Sequence, residues 1–285
     1  MKESNQRVWL ITGASKGLGL EISKAALKAG DYVARAVRNK TDQFAAMLSD
    51  PNGLFVVKMD VNKEEEVRAA VEQTISHFGK IDVLVNNAGY GILTAIEEAS
   101  AEETKKQFET NVFGLLNVTR AVLPYMRRQR SGHIINVSSL FGYDAMAGWG
   151  LYGATKFTVE GLSKGLALEL APFGIHVTAI APGFFNTNFL GKDSYTRTNH
   201  IIPDYEATAV GEMRNKADSL HGTQQGDPKK LAELVVKLAN TKNPPVHLPI
   251  GKDAVEMYRN NVAKTNREVD EWAPLSSVTD RDDSN

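Results

Sequence analysis

The chain has 285 residues and a formal net charge of -1, with 33 Lys and Arg against 34 Asp and Glu, so no global field draws it to nucleic acid or to an anionic membrane. That length suits one large α/β domain over residues 1–285 and does not require two. With 0 cysteines there are no disulfides, thiolate nucleophiles or cysteine-held metals, and the 6 histidines (77, 133, 176, 200, 221 and 247) contain no pair at helical i, i+4 spacing, so no metal site is expected. The polar start Met1–Arg7 and the short apolar run Val8–Ile11 give neither a signal h-region nor a membrane span, and a soluble cytoplasmic protein is expected.

The first strand is expected at Val8–Thr12. It runs into Thr12–Gly13–Ala14–Ser15–Lys16–Gly17–Leu18–Gly19 and then a helical pattern over Leu18–Ala29. Glycines between a strand and a helix let the backbone turn tightly and approach a pyrophosphate, whose charge meets the free N–H groups of the helix N-terminus. The second strand, Tyr32–Val37, leads to Arg38 and Asn39 about twenty residues past the glycines, with no acid there. An acid would bind a ribose 2′-hydroxyl and repel a 2′-phosphate. Arg38 offers a fork of donors and Lys16 a point charge, so NADP(H) is favoured over NAD(H). Arg35 lies inside this strand, where a doubly covered sheet should carry an apolar residue. Two placements stand open: Arg35 reaches the cofactor edge, or the strand is exposed.

A third strand, Leu54–Met59, precedes Asp60–Val61–Asn62–Lys63 and the acids Glu64, Glu65 and Glu66, which suit the start of a helix over Lys63–Phe78 with Asp60 as a cap. Next come a strand at Val83–Asn86, a helix over Ala101–Arg128, a strand at His133–Ser138, a helix over Tyr152–Ala171 and a strand at His176–Ala181. The polar stretch from Phe189 to Asp227 breaks the alternation and reads as a lid with one short helix around Tyr205–Ser219. A helix at Pro228–Leu238, a strand at Val246–Ile250 and a charged helix over about Ala254–Trp272 follow, and the tail from Thr279 to Asn285 reads as disordered. This alternation is that of an α/β chain with a doubly wound parallel sheet of about seven strands and helices on both faces.

On the helix beginning at Tyr152, positions i and i+4 share a face, so the phenol of Tyr152 can meet the ammonium of Lys156. A phenol with a free value of about 10 is a poor proton donor near neutrality, and an adjacent cation stabilises its phenolate. Tyr152 could then give a proton to a ketone oxygen or take one from an alcohol while hydride moves at a nicotinamide. Such pairs also occur on ordinary helices, and the pair acquires meaning from what precedes it.

Together, Thr12–Gly19, Asn86–Asn87–Ala88–Gly89, Asn111, Ser139, Tyr152–Lys156 and the turn Pro182–Gly183–Phe184–Phe185–Asn186–Thr187 resemble the short-chain dehydrogenase/reductase family over about residues 7–190. The resemblance implies a Rossmann-type fold and hydride transfer between a nicotinamide and a carbonyl or secondary alcohol carbon. By it Asn111, Ser139, Tyr152 and Lys156 are the catalytic residues, Ser139 polarising the substrate oxygen and Asn111 holding water in a proton path behind Lys156. Ser138 is an equal candidate on the residues alone. By the same resemblance Gly13, Ser15, Lys16, Gly17, Leu18 and Gly19 cradle the dinucleotide, with Tyr152 and Lys156 also touching it. Asp60 and Val61 border the adenine, Asn87, Ala88 and Gly89 the adenosine, and Pro182, Gly183 and Thr187 the nicotinamide amide.

The residues beside this chemistry are apolar and aromatic: Tyr90, Ile92, Phe141, Met146, Trp149, Phe184, Phe185 and Phe189, which fit a small hydrophobic ketone or aldehyde, with Tyr195, Tyr205 and Met213 as lid residues that exclude water. Two other functions use the same apparatus, a 3-oxoacyl-thioester reductase and a non-catalytic NADP-binding regulator. A regulator would be expected to lose the Tyr152/Lys156 pair, and no basic cluster near the lid offers a dock for an acidic carrier. The family assembles through its long central helices, so a homodimer or homotetramer is an open expectation.

Overall fold

The structure, a computed structural model, describes residues 6–39, 53–187, 189, 195–220, 222–279 and 281. Strands β1 (Val8–Thr12), β2 (Tyr32–Val37), β3 (Leu54–Lys58), β4 (Val83–Asn86), β6 (Gly132–Val137), β7 (Ile175–Pro182) and β9 (His247–Ile250) pair in parallel in the order β3-β2-β1-β4-β6-β7-β9. The chain winds outward from β1 in both directions, so the switch in direction falls between β1 and β4. Ligand crevices form at such a point, beyond the carboxyl ends of the strands.

Alternation along these short apolar runs decides which layer each residue joins. Leu10, Ala34, Leu84 and Ile134 face one side and pack with Val67, Ala70 and Val71 of α2 (Glu64–Phe78) and with Val118, Val122 and Met126 of α4 (Gly114–Gln129). Trp9, Ile11, Val33, Val83, Val85 and Ile135 face the other side, against Ile22 and Ala26 of α1 (Gly17–Lys28) and Leu231, Val235 and Leu238 of α7 (Pro228–Ala239). Each fully buried side chain of this size contributes roughly 1.5–3 kcal/mol from its removal from water.

The expected helix over Ala101–Arg128 is helical throughout but not α throughout. It runs as α3 (Ala101–Phe108), widens into a π-helical turn at Glu109–Phe113, and continues as α4. Asp60 does not cap α2 either: its Oδ1 accepts the Asn62 N–H at 3.1 Å, and the helix begins after Lys63 without a side-chain cap.

Two elements had no counterpart in the expected order. Strand β5 (Gly91–Leu93) pairs in parallel with β8 (Tyr195–Arg197), forming a small second sheet beside the cleft. Between β6 and β7 lies α5 (Gly150–Leu170), and beyond β8 a 3-10 turn at Pro203–Tyr205 precedes α6 (Ala209–Leu220). The last helix, α8 (Lys252–Ser276), extends past the expected Trp272. Most of the tail expected to be disordered, and part of the lid start between residues 188 and 194, lies outside the described residues.

Candidate active site

A cleft of about 780 Å³ opens beyond the carboxyl ends of the central strands. Gly13 has φ +61°, and a Cβ there would stand 2.9 Å from the Ala88 Cα, so the loop can close on the segment after β4 only without a side chain at 13. That closure is hydrogen-bonded: Asn87 Nδ2 donates to the carbonyls of Thr12 (2.9 Å) and Gly13 (3.1 Å), and Thr12 Oγ1 accepts the N–H groups of Asn87 and Ala88, each at 3.0 Å. Helix α1 then starts with no side-chain cap and no acid in its first turn. Its leading N–H donors are therefore left for an anion, which fits the pyrophosphate of a dinucleotide.

Arg35 accounts for its own burial. It is fully buried, neither at a cofactor edge nor on an exposed strand, and its Nε and Nη2 donate to the Ala14 carbonyl at 3.2 and 2.6 Å. A cation inside the sheet thus holds the glycine loop from beneath, although burial lowers its pKa from the ordinary arginine value.

The cleft brings together nearly all the expected residues. Gly13, Ser15, Lys16, Gly17, Leu18, Arg38, Asp60, Val61, Asn87, Ala88, Gly89, Ser139, Tyr152, Lys156, Pro182, Gly183 and Thr187 line it. Gly19 and Asn111 are not on its wall. Gly19 is buried beneath the loop, against Asn87, and Asn111 stands one layer back, where a Cβ on Gly89 would meet its Oδ1 at 3.1 Å and Lys156 Nζ at 3.8 Å. Asn39, Thr196 and Gln224 also line the cleft and were not anticipated. The β-branched and aromatic pair Tyr195–Thr196 is a weak strand signal that could have found one of them; Gln224 carries no such signal.

Tyr152 projects from the first turn of α5 and is only 6% exposed. Burial raises its phenol above the ordinary tyrosine value, and the Ser139 hydroxyl opposes that rise. This separates the two serines, since the Ser138 hydroxyl instead points back toward the Lys156 carbonyl, at 3.5 Å. Lys156 Nζ donates to the Val137 carbonyl at 2.7 Å and stands 5.5 Å from the Tyr152 ring centroid. Burial pushes the ammonium down to about 8.

Asn111 is neither a surface residue nor a cap. The π-helical turn points it inward, where Nδ2 donates to the carbonyl of Tyr90 (2.9 Å) and to Thr155 Oγ1 (3.0 Å), while Oδ1 accepts the Tyr90 N–H at 3.0 Å. It ties the wall after β4 to the helix that carries Tyr152 and Lys156. π-Bulges of this kind are frequent at functional sites.

Aromatic rings surround the phenol. Phe141, Trp149 and Phe189 have ring centroids 6.1, 5.8 and 5.7 Å from that of Tyr152, and Phe184 meets Phe141 edge-on at 6.0 Å. Tyr90, Phe141, Trp149, Phe184, Phe185 and Phe189 line the cleft as expected, but Ile92 and Met146 do not, being packed into the structure behind it. Nor do the three proposed lid residues line it: Tyr195 and Met213 pack in the cluster around Trp149, and Tyr205 donates to Glu97 Oε2 at 2.7 Å.

The short chain dehydrogenase family model matches residues 7–198. Oxidoreductase BOA17 of Botryotinia fuckeliana is 38% identical over 95% of this chain and 98% of its own length, and a 3-ketodihydrosphingosine reductase of Bacteroides thetaiotaomicron is 37% identical over 86% and 88%. Among solved structures, a short-chain dehydrogenase from Streptomyces avermitilis superposes with a TM-score of 0.89 at 38% identity, covering 97% of this chain and 100% of that one. A 3-ketoacyl-(acyl-carrier-protein) reductase from Brucella melitensis holds NADH (TM-score 0.72, 31% identity, 86% and 96% covered), and ElxO holds NADP (0.74, 29%, 88% and 99%). The glycine loop, the Ser139–Tyr152–Lys156 arrangement and these matches agree: the chain belongs to the short-chain dehydrogenase family and is an oxidoreductase.

Proposed function

We propose that this oxidoreductase is an NADP(H)-dependent reductase of a hydrophobic ketone or aldehyde. The observation that carries the reading is the buried Tyr152 phenol, on the same cleft wall as Ser139 and surrounded by aromatic rings. A phenol held in its protonated form is a proton donor, and an apolar chamber rewards a substrate with little else to solvate. A bound nicotinamide supplies the hydride. The Ser139 hydroxyl orients and polarises the carbonyl oxygen, and Tyr152 gives that oxygen its proton as negative charge develops. Lys156, fixed by the Val137 carbonyl, lowers the cost of the phenolate left behind. Asn111 acts at one remove, by joining Tyr90 to Thr155.

For the cofactor, the loop residues 13–19 would take the pyrophosphate, Asp60 and Val61 the adenine, residues 87–89 the adenosine, and Pro182, Gly183 and Thr187 the nicotinamide amide. Arg38 is exposed on the cleft wall at the end of β2, with Lys16 on the same wall and no acid at that strand end, which supports a 2′-phosphate. Both the Bacteroides and the Brucella relatives are named as reductases of keto compounds. A 3-oxoacyl thioester, the alternative, would meet the same proton donor, but the aromatic lining by Phe141, Trp149, Phe184 and Phe189 favours a free hydrophobic carbonyl compound.

A screen of ketones, aldehydes and quinones with NADPH and NADH tests the reading. Turnover is expected with NADPH at the lower KM. Replacing Arg38→Ala removes a charge-assisted contact worth about 1.5–3 kcal/mol, so the KM for NADPH should rise roughly 10- to 100-fold while that for NADH changes little. An equal rise for both cofactors would remove Arg38 from this role.

A further inference from the structure

Behind Tyr152 and Lys156 lies a second polar cluster that the hydride-transfer reading does not use. Glu160 follows Lys156 by one helical turn on α5 and is only 5% exposed. Its Oε2 meets His247 Nδ1 of β9 at 2.6 Å, while its Oε1 is buried and takes no hydrogen bond of good geometry among the described residues. Ser138 completes the cluster, and the chain is packed tightly around it. A Cβ on Gly142 would stand 2.6 Å from Ser138 Oγ and 3.1 Å from both Glu160 Cγ and the Lys156 carbonyl. No side chain at 142 fits without displacing them.

A buried carboxylate is costly unless a cation shares its surroundings. Lys156 is such a cation, also buried, and at i, i+4 spacing the two side chains lie on one face of α5 with little solvent to screen them. We propose that Glu160, held by His247, is a positioning residue that serves as the buried counter-charge of Lys156 and keeps that ammonium protonated beside Tyr152. The claim rests on the reading above for its meaning in turnover, though not for its electrostatics.

Burial lowers the Lys156 ammonium and Glu160 opposes that fall. Burial leaves the Glu160 carboxyl raised above the ordinary carboxylate value, although Ser138, His247 and, along the helix, Lys164 oppose that rise. In the turn after β6, the Tyr143 phenol is raised by burial first, by Glu160 second and by Tyr258 of α8 third. Glu160 therefore has His247 as its hydrogen-bond partner and stands one turn of α5 from Lys156 on one side and from Lys164 on the other.

The direct test is a titration of Lys156 by NMR in the full chain labelled at lysine Cε, with the resonance assigned by Lys156→Arg. Wild type is expected to titrate near 8. Glu160→Gln keeps the shape and the contacts but removes the charge, so the midpoint should fall by about half a pH unit or more, and Glu160→Asp should restore most of it. His247→Ala, at a partly exposed site, should lower the midpoint less, by letting Glu160 take up a proton. Midpoints equal to wild type in both Glu160→Gln and His247→Ala overturn the proposal, since a purely structural role would leave them unmoved. If the midpoints move as expected while no carbonyl compound is turned over, the counter-charge stands and the reductase reading falls.

Discussion

At neutral pH the Tyr152 phenol is protonated and the Lys156 ammonium, lowered to about 8, is mostly charged, so the pair is poised to give up a proton rather than to receive one. A depressed lysine loses its proton as pH rises through its folded value. Carbonyl reduction should therefore decline along an alkaline limb near pH 8, and a kcat profile flat to about pH 10, the range of an unperturbed lysine, would contradict that. These two residues and the glycine loop could be picked out because their spacing is local, four residues along one helix or a turn joining strand to helix, whereas Ser139 stood level with Ser138 until the family resemblance chose between them. Arg35 was not. Its partner is the Ala14 carbonyl 21 residues away, and only the pairing of β1 with β2 brings that group over the buried guanidinium.

Among the elements, the strands and most helices follow their apolar runs, with ends displaced by a residue or so where the chain turns. The π-helical turn at Glu109–Phe113 did not show, because nothing in its own residues opens a helix. The tertiary bonds of Asn111 to Tyr90 and Thr155 accompany the widened turn. The β5–β8 pairing was equally silent, since three-residue strands lie below any periodic signal and their partners are about a hundred residues apart.

The segment after β8 is fastened by a buried ion pair. Burial would raise Glu98, yet Arg214 of α6 and the N–H groups of Ile202 and Ala95 hold it below the ordinary carboxylate range. Replacing Arg214→Met strands that carboxylate and should cost about 3–5 kcal/mol of stability. Limited proteolysis should then cut first between residues 195 and 220, and the substrate KM should rise more than kcat falls. An unchanged cleavage pattern would mean that Glu98 does not hold the segment down.

For the whole molecule, a parallel sheet covered on both faces was legible from alternation, but the strand order that places the cleft at the β1/β4 switch point was not. The same burial that builds the sheet has a thermodynamic consequence at His133 on β6. Burial first, then His176 and Arg7, push its imidazole down to about 3 from a free value of 6.5. The folded value lies below the unfolded one, so the stability present above about pH 6.5 is lost as pH falls toward 3, amounting to a few kcal/mol on the order-of-magnitude scale. Urea midpoints measured down this range should fall less steeply in His133→Gln than in wild type; parallel slopes would place the acid sensitivity elsewhere.

What could not be legible at this scale is the substrate, because the chamber around Tyr152 is assembled from the turn after β6, the start of α5, the turn after β7 and Phe189. The measurement that bears most directly on the account is therefore single-turnover reduction of a hydrophobic ketone by the dinucleotide-loaded enzyme, compared between wild type and Tyr152→Phe. Loss of the proton donor should slow the chemical step by about 10²- to 10⁴-fold. Equal rates in the two proteins would contradict the assignment of Tyr152 as the group that protonates the substrate oxygen.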